Sequence, residues 1–232
     1  MFPTQYTGQI LQRYPYPNII TEEEKRRGFN DLVHELSVAF ELPGEFNPKS
    51  FMHFPVDLIL DYIRKTHRLY IHKKLPEMEQ SIHLLLQDYS VDHPLLSILL
   101  DFYSSYKVNL TLHICEEEQH LLPYIDFLLH AENNYFNLYH FYQKSDRYSL
   151  QEFEEDHHDD TEKDLQQIRE TILMYDPPLT NKTPYRILLH QLQNFERDLT
   201  VHGLIEDTVL LPKMKVTENF LQEEFLRRLK NN

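Results

Sequence analysis

Two stretches of this chain, 89 positions apart, carry one pattern: His113-x3-Glu117-x3-Leu121-Leu122-Pro123 and His202-x3-Glu206-x3-Leu210-Leu211-Pro212 agree residue for residue. Each pattern continues an apolar stripe. Upstream of the second, Leu188, Leu192, Phe195, Leu199, His202, Glu206 and Val209 alternate in steps of four and three, which lines up one face of a helix. Leu95, Leu99, Phe102, Tyr106, Leu110, His113, Glu117 and Leu121 do the same upstream of the first, with two extra steps of four. In both helices a histidine and a glutamate stand on the face that has to meet a hydrophobic core. Placing them there is costly unless each is paired or coordinated.

Upstream of each copy lies a helix with one candidate core histidine: His67, 46 residues before His113, and His158, 44 residues before His202. His158 is preferred to its neighbour His157 because it projects about 20° from Leu165 on a helical wheel, against about 80° for His157. The chain therefore reads as two helix pairs related by an approximate two-fold, and the expected fold is an all-α, antiparallel up-down four-helix bundle with an N-terminal helical extension. The extension is assigned to residues 1–50 and the bundle to residues 51–232.

The punctuation agrees. Only 4 glycines occur in 232 residues, so strands and tight turns have little to work with. Helices are expected from Thr21 to about Phe40, closed by Leu42-Pro43-Gly44; from about Pro55 to Tyr89, kinked at Pro76; from Asp92 or His93 to Leu129; from an N-cap at Ser149 to about Tyr175, before Pro177-Pro178; and from Thr183-Pro184 to about Leu211. A short last helix is expected over Thr217 to Arg228. Residues 131–148 receive no assignment.

A formal charge of −14 argues against a nucleic-acid surface, which needs clustered cations. No run of about 18 apolar residues predicts a membrane span, and the first residues lack the pattern of a signal peptide. A single cysteine, Cys115, rules out an internal disulfide or a cysteine-rich metal site. These features lead to the expectation of a cytoplasmic protein.

A His and a Glu at i and i+4 share a helix face, so both reach a common ion on the bundle axis. The candidate metal ligands are His67, His113, Glu117, His158, His202 and Glu206. Four nitrogens and two carboxylates exceed the needs of one tetrahedral zinc and suit two ions bridged by the carboxylates and by an oxo or hydroxo group. Such a donor set favours iron or manganese over copper(I) and disfavours calcium. His120 is a candidate to support a ligand from behind, Tyr70 and Tyr106 are candidates to line the approach, and Cys115 reads as a packing residue.

On these residues the chain resembles the hemerythrin-like, HHE cation-binding superfamily, and within it the di-iron proteins called repair of iron centres. The similar motifs are Asp61-Tyr62-Ile63-x3-His67 with Leu75-Pro76, His113-x3-Glu117-Glu118 with Leu121-Leu122-Pro123, His158-Asp159 with Leu165 and Ile168, Pro177-Pro178, and His202-x3-Glu206 with Leu210-Leu211-Pro212. They span about residues 54–213. The resemblance implies two iron ions, oxo- or hydroxo-bridged, held by the six residues above with both glutamates bridging; manganese or zinc is less favoured. It also implies a role in restoring iron-sulfur clusters damaged by nitric oxide or oxidants, with iron-sulfur client proteins as partners and oxygen or nitric oxide as small ligands. An alternative is an oxygen, nitric oxide or iron sensor that binds without turnover. A dimer is one assembly left open, as is the question of whether the protein is an enzyme.

Overall fold

The computed structural model describes residues 23–88, 94–133, 141, 148–156, 161–174 and 182–230. Among them helix accounts for nearly every position and no strand occurs. His158 and Pro177-Pro178 lie outside the described residues, as does the proposed cap at Thr21.

The helices are α1 (Glu23–Glu41), α2 (Pro48–Phe51), α3 (Val56–Leu69), α4 (Leu75–Asp88), α5 (Pro94–Glu116), α6 (Leu122–Asn133), α7 (Leu150–Asp156), α8 (Thr161–Leu173), α9 (Thr183–Ile205) and α10 (Leu211–Lys230). Pro43 and Gly44 end α1 in a short 3-10 turn, as the sequence predicts. Ser149 caps α7: the Glu152 backbone N–H donates to its hydroxyl at 3.2 Å, and the hydroxyl donates to the Glu152 carboxylate at 3.1 Å. The start of α9 falls one residue before the expected first turn, with Lys182 at the cap. The short last helix is instead the end of α10, which runs unbroken from Leu211.

Three of these helices continue through a wide π-turn: Tyr70–Lys74 joins α3 to α4, Glu117–Leu121 joins α5 to α6, and Glu206–Leu210 joins α9 to α10. In each the leucine that follows donates its backbone N–H to the carbonyl five residues back, Leu75 to Tyr70, Leu122 to Glu117 and Leu211 to Glu206. A proline comes next each time: Pro76, Pro123 and Pro212. Proline has no N–H to offer and its ring crowds the carbonyl four residues back, so a turn opened to five residues accommodates it without ending the helix. This is the form taken by the kink expected at Pro76.

The π-turns also mark where the core changes character. One apolar core gathers Phe29, Leu32 and Leu36 of α1, Ile59 and Ile63 of α3, Ile125 and Leu128 of α6, Leu150 of α7, and Met214 of α10. A second gathers Met78 and Ile82 of α4, Tyr103, Tyr106 and Leu110 of α5, Leu165 and Ile168 of α8, and Leu188, Leu192 and Phe195 of α9. In the second core α4 packs on α5 and α9, and α8 packs on the same two helices, so the four close a circuit. The α3–α4 rod enters from the first core and leaves in the second, whereas α5–α6 and α9–α10 run from the second core to the first. Between the cores lies a buried polar layer of Thr66, His67, Glu117, His202 and Glu206.

The stripe of α5 needs one correction. Phe102 is 46% exposed, and its neighbour Tyr103 is fully buried instead. Two aromatics about 100° apart on a helix compete for the same inward direction. Tyr103 takes it because its hydroxyl finds a buried acceptor, the carbonyl of Leu75.

Candidate metal centre

The polar layer is built at the helix–π-turn junctions. His67 comes from the last turn of α3 and His202 from the last turn of α9, while Glu117 and Glu206 are the first residues of their π-turns. One ligating atom from each of His67, Glu117 and His202 lies within 4.8 Å of the other two, and all three residues are buried. His67 Nε2 stands 3.0 Å from Glu117 Oε2 and 3.2 Å from His202 Nε2. His202 Nε2 is 3.6 Å from Glu206 Oε2, and His113 Nε2 is 2.9 Å from Glu117 Oε1. Five of the six candidates read from the sequence thus meet in one place, and His158 lies outside the described residues.

The electrostatics of this layer are those of too many basic atoms around too little positive charge. Burial, then the charges of Glu117 and Asp207, push the Glu206 carboxyl well above the usual carboxylate range. Burial and the neighbouring His67 push the His202 imidazole down to about 3, so it is neutral. His67 goes the other way. Burial is its largest single influence and favours the neutral ring, but hydrogen bonds to Glu117 and Glu118 and the charges of both outweigh it. The net direction favours the protonated ring at His67, among atoms that would otherwise repel one another.

Two residues that sequence reading did not assign support the imidazoles from behind. Glu118 Oε1 is 2.9 Å from His67 Nδ1, and that hydrogen bond holds the Glu118 carboxyl below its usual range. Thr66 Oγ1 is 2.9 Å from His202 Nδ1 and 2.8 Å from the Ile63 carbonyl. Both turn Nε2 of a histidine toward the centre. Glu118 lies off the apolar stripe and is partly exposed, and Thr66 resembles any helix-interior threonine, so neither carried a periodic signal. His120, named as a candidate for such a role, is exposed. Tyr70 packs edge-on to His202 at 5.6 Å between ring centres and to Phe195 at 5.1 Å, and Tyr106 lies in the second core.

The residues fit a metal ion. Ligands bound about 2.1–2.3 Å from one ion at right angles stand about 3.0–3.2 Å from each other, and the two shortest spacings around His67 Nε2 match this. Glu206 Oε1 is buried with no hydrogen-bond partner among the described residues. A divalent cation would satisfy that oxygen and offset the repulsion between two buried carboxylates. The donor set, imidazole nitrogen and carboxylate oxygen, suits iron, manganese or zinc.

Among the described residues no helix is long and apolar enough to cross a membrane. No family model matches the chain. The chain is similar to the iron-sulfur cluster repair protein ScdA of Staphylococcus haemolyticus (strain JCSC1435), with 23% identity over 195 residues covering 82% of this chain and 81% of that protein, in agreement with the resemblance to repair-of-iron-centres proteins.

Proposed function

We propose that this chain is a non-haem di-iron protein of the hemerythrin-like, antiparallel four-helix-bundle type that serves iron-sulfur cluster repair or protection against nitric oxide and oxidants in the cytoplasm. The observation that carries the reading is the convergence of His67, Glu117 and His202 at ligand spacing in a buried layer, with Glu206 beside them. The two oxygens of Glu117 face different imidazoles, Oε2 toward His67 and Oε1 toward His113, as a carboxylate shared by two ions would. His67, His113, His202, His158 and the bridging pair Glu117 and Glu206 are the proposed ligands. The circuit of α4, α5, α8 and α9, and the run of the α3–α4 rod opposite to the α5–α6 and α9–α10 rods between the two cores, support the bundle.

When bound, two ferrous ions would supply redox and ligand-binding chemistry toward oxygen or nitric oxide, or iron for delivery to a client. The chain's own residues do the rest. The glutamates balance charge, Thr66 and Glu118 aim imidazole nitrogens inward, and the two apolar cores keep bulk water from both sides of the layer. The repair role rests on the similarity to ScdA, whose name states that activity.

Anaerobic reconstitution with ferrous iron tests the centre: two irons per chain and a new visible absorption on oxidation are expected. Fewer than two irons in the wild-type protein, or zinc alone in protein from native cells, would refute it. The repair role is tested by whether the iron-loaded protein restores activity to a nitric-oxide-damaged iron-sulfur enzyme and the Glu117→Ala variant does not.

A further inference from the structure

We propose that the outer face of α5 is a dimer contact, on which α5 of a second copy of this chain packs antiparallel across a two-fold axis at Ser105. Such a contact does not depend on whether the centre holds metal.

Helix α5 is apolar on both sides. Leu99, Tyr103, Tyr106 and Leu110 are buried in the second core, yet Ile98, Phe102, Val108 and Leu112 stand between 42% and 62% exposed on the side that faces away from it. At 100° per residue these four fall within a sector of about 120°. A helix that carries large apolar residues all round is one that is covered all round, so a second surface belongs on this face.

Charge and spacing point to a second copy. A formal charge of −14 makes copies repel one another, so a shared face has to lie where charge is thin. From Phe102 to Cys115 no acidic residue occurs, and Lys107 within that stretch is engaged with Glu79 at 2.7 Å. The apolar set is also symmetric: Ile98 and Leu112 lie seven residues before and after Ser105, and Phe102 and Val108 lie three before and after. Two antiparallel copies crossing at Ser105 therefore set Ile98 against Leu112 of the other copy and Phe102 against Val108 of the other copy, a self-complementary contact. Asp101 meets the neutral Asn109, both of them exposed. Glu116 meets the first turn of the other helix, which starts at Pro94, where the helix dipole favours an anion. Ser105 is small and exposed, so the two backbones can approach closely at the axis. A membrane surface fits less well, because α5 carries one Lys and no Arg to meet anionic headgroups. A face about 27 Å long, from Ile98 to Glu116, is at the small end of specific interfaces, so association in the micromolar range is expected.

Sedimentation velocity of the full-length protein from low to high micromolar concentration is the first test. A monomer–dimer equilibrium is expected, weakened about tenfold or more by Leu112→Glu, with Tm unchanged because Leu112 is exposed in the monomer. In a Cys115→Ala background, mild oxidation should link Ser105→Cys into covalent dimers. Ile98→Cys, about 21 Å from its own copy, should not link alone but should link when mixed with Leu112→Cys. Wild-type protein that stays monomeric overturns the proposal, whether the stripe then serves another protein or another segment of this chain. So does a dimer that Leu112→Glu leaves intact, a Leu112→Glu variant that unfolds, or any other pattern of cross-links.

Discussion

The hydroxyl of Thr66 lies 2.9 Å from Nδ1 of His202 and 2.8 Å from the carbonyl of Ile63, and these two contacts decide which nitrogen of His202 faces the centre. A carbonyl only accepts, so the threonine proton goes to Ile63 and the hydroxyl oxygen accepts from His202 Nδ1–H. That leaves the Nε2 lone pair pointing at His67 and Glu206. Thr66→Val keeps the shape and removes the hydroxyl. Iron affinity, measured by chelator competition, should fall by about 10–100-fold, while stability of the metal-free protein falls by only about 1 kcal/mol.

Glu118 plays the matching part for His67, from a side chain that reaches solvent. Glu118→Gln keeps an acceptor for Nδ1–H but removes the charge that favours the cationic ring. The variant should retain both irons and show a His67 imidazole that titrates at lower pH by NMR in the metal-free protein. Glu118→Leu should also lose iron affinity, again about 10–100-fold by chelator competition. Unchanged affinity in the leucine variant would refute this role.

Glu206 should oppose stability when no metal is bound. Its carboxyl is buried, lies beside Glu117 and is driven toward the neutral form. Glu206→Gln should therefore stabilise the metal-free protein at pH 8 by on the order of 1 kcal/mol, about 2–4 °C in Tm for a chain of this length. The same substitution should reduce iron binding below two per chain. A destabilised metal-free variant would show that the carboxylate is not under strain.

The pH dependence follows from the opposite shifts of the two histidines. His202 titrates near 3 in the fold against 6.5 when unfolded, so between those values the unfolded chain binds the extra proton and stability rises with pH. His67 is shifted above 6.5, so above that pH the fold holds a proton the unfolded chain has released, and stability falls as pH rises through its folded value. Glu206, whose folded value is raised well above 4.5, contributes stability that is lost as pH rises from 4.5 through that value, opposing the His202 gain where the two windows overlap. Thermal melts of the metal-free protein should show loss of stability on the alkaline side of pH 6.5. On the proposed metal-centre reading, bound iron would replace those protons and abolish that loss.

Helix α1 lies in the segment read as an extension, yet Leu36 is fully buried in the first apolar core together with residues of α3, α6 and α10. Leu36→Ala should cost about 2–5 kcal/mol in denaturant unfolding. Unfolding should remain a single transition if α1 and the rest melt together, whereas an independent extension would leave the main transition unmoved.

The sequence by itself determined which side chains could form the centre and that the chain is helical. His-x3-Glu repeated on an apolar stripe is a local signal, because helical periodicity alone puts both residues on the face that must be buried. Of the repeat's residues Glu117, His202 and Glu206 lie in the buried polar layer with His67, and His113 stands at its edge, 2.9 Å from Glu117. Scarce glycine and the caps at Ser149 and after Glu41 are likewise local, and the helix boundaries near them follow.

Only the tertiary structure decided what depends on neighbours distant in the chain. Whether Phe102 or Tyr103 turns inward was settled by the Leu75 carbonyl on another helix. That Thr66 and Glu118, rather than His120, stand behind the imidazoles depends on how α3 meets α9 and the Glu117 π-turn, 136 and 51 residues away in sequence. The three leucine-proline pairs are visible in the sequence, but a proline alone predicts a break or a kink. The tertiary structure shows instead that each helix continues through a π-turn and passes from one core to the other, with ligand residues at the crossing.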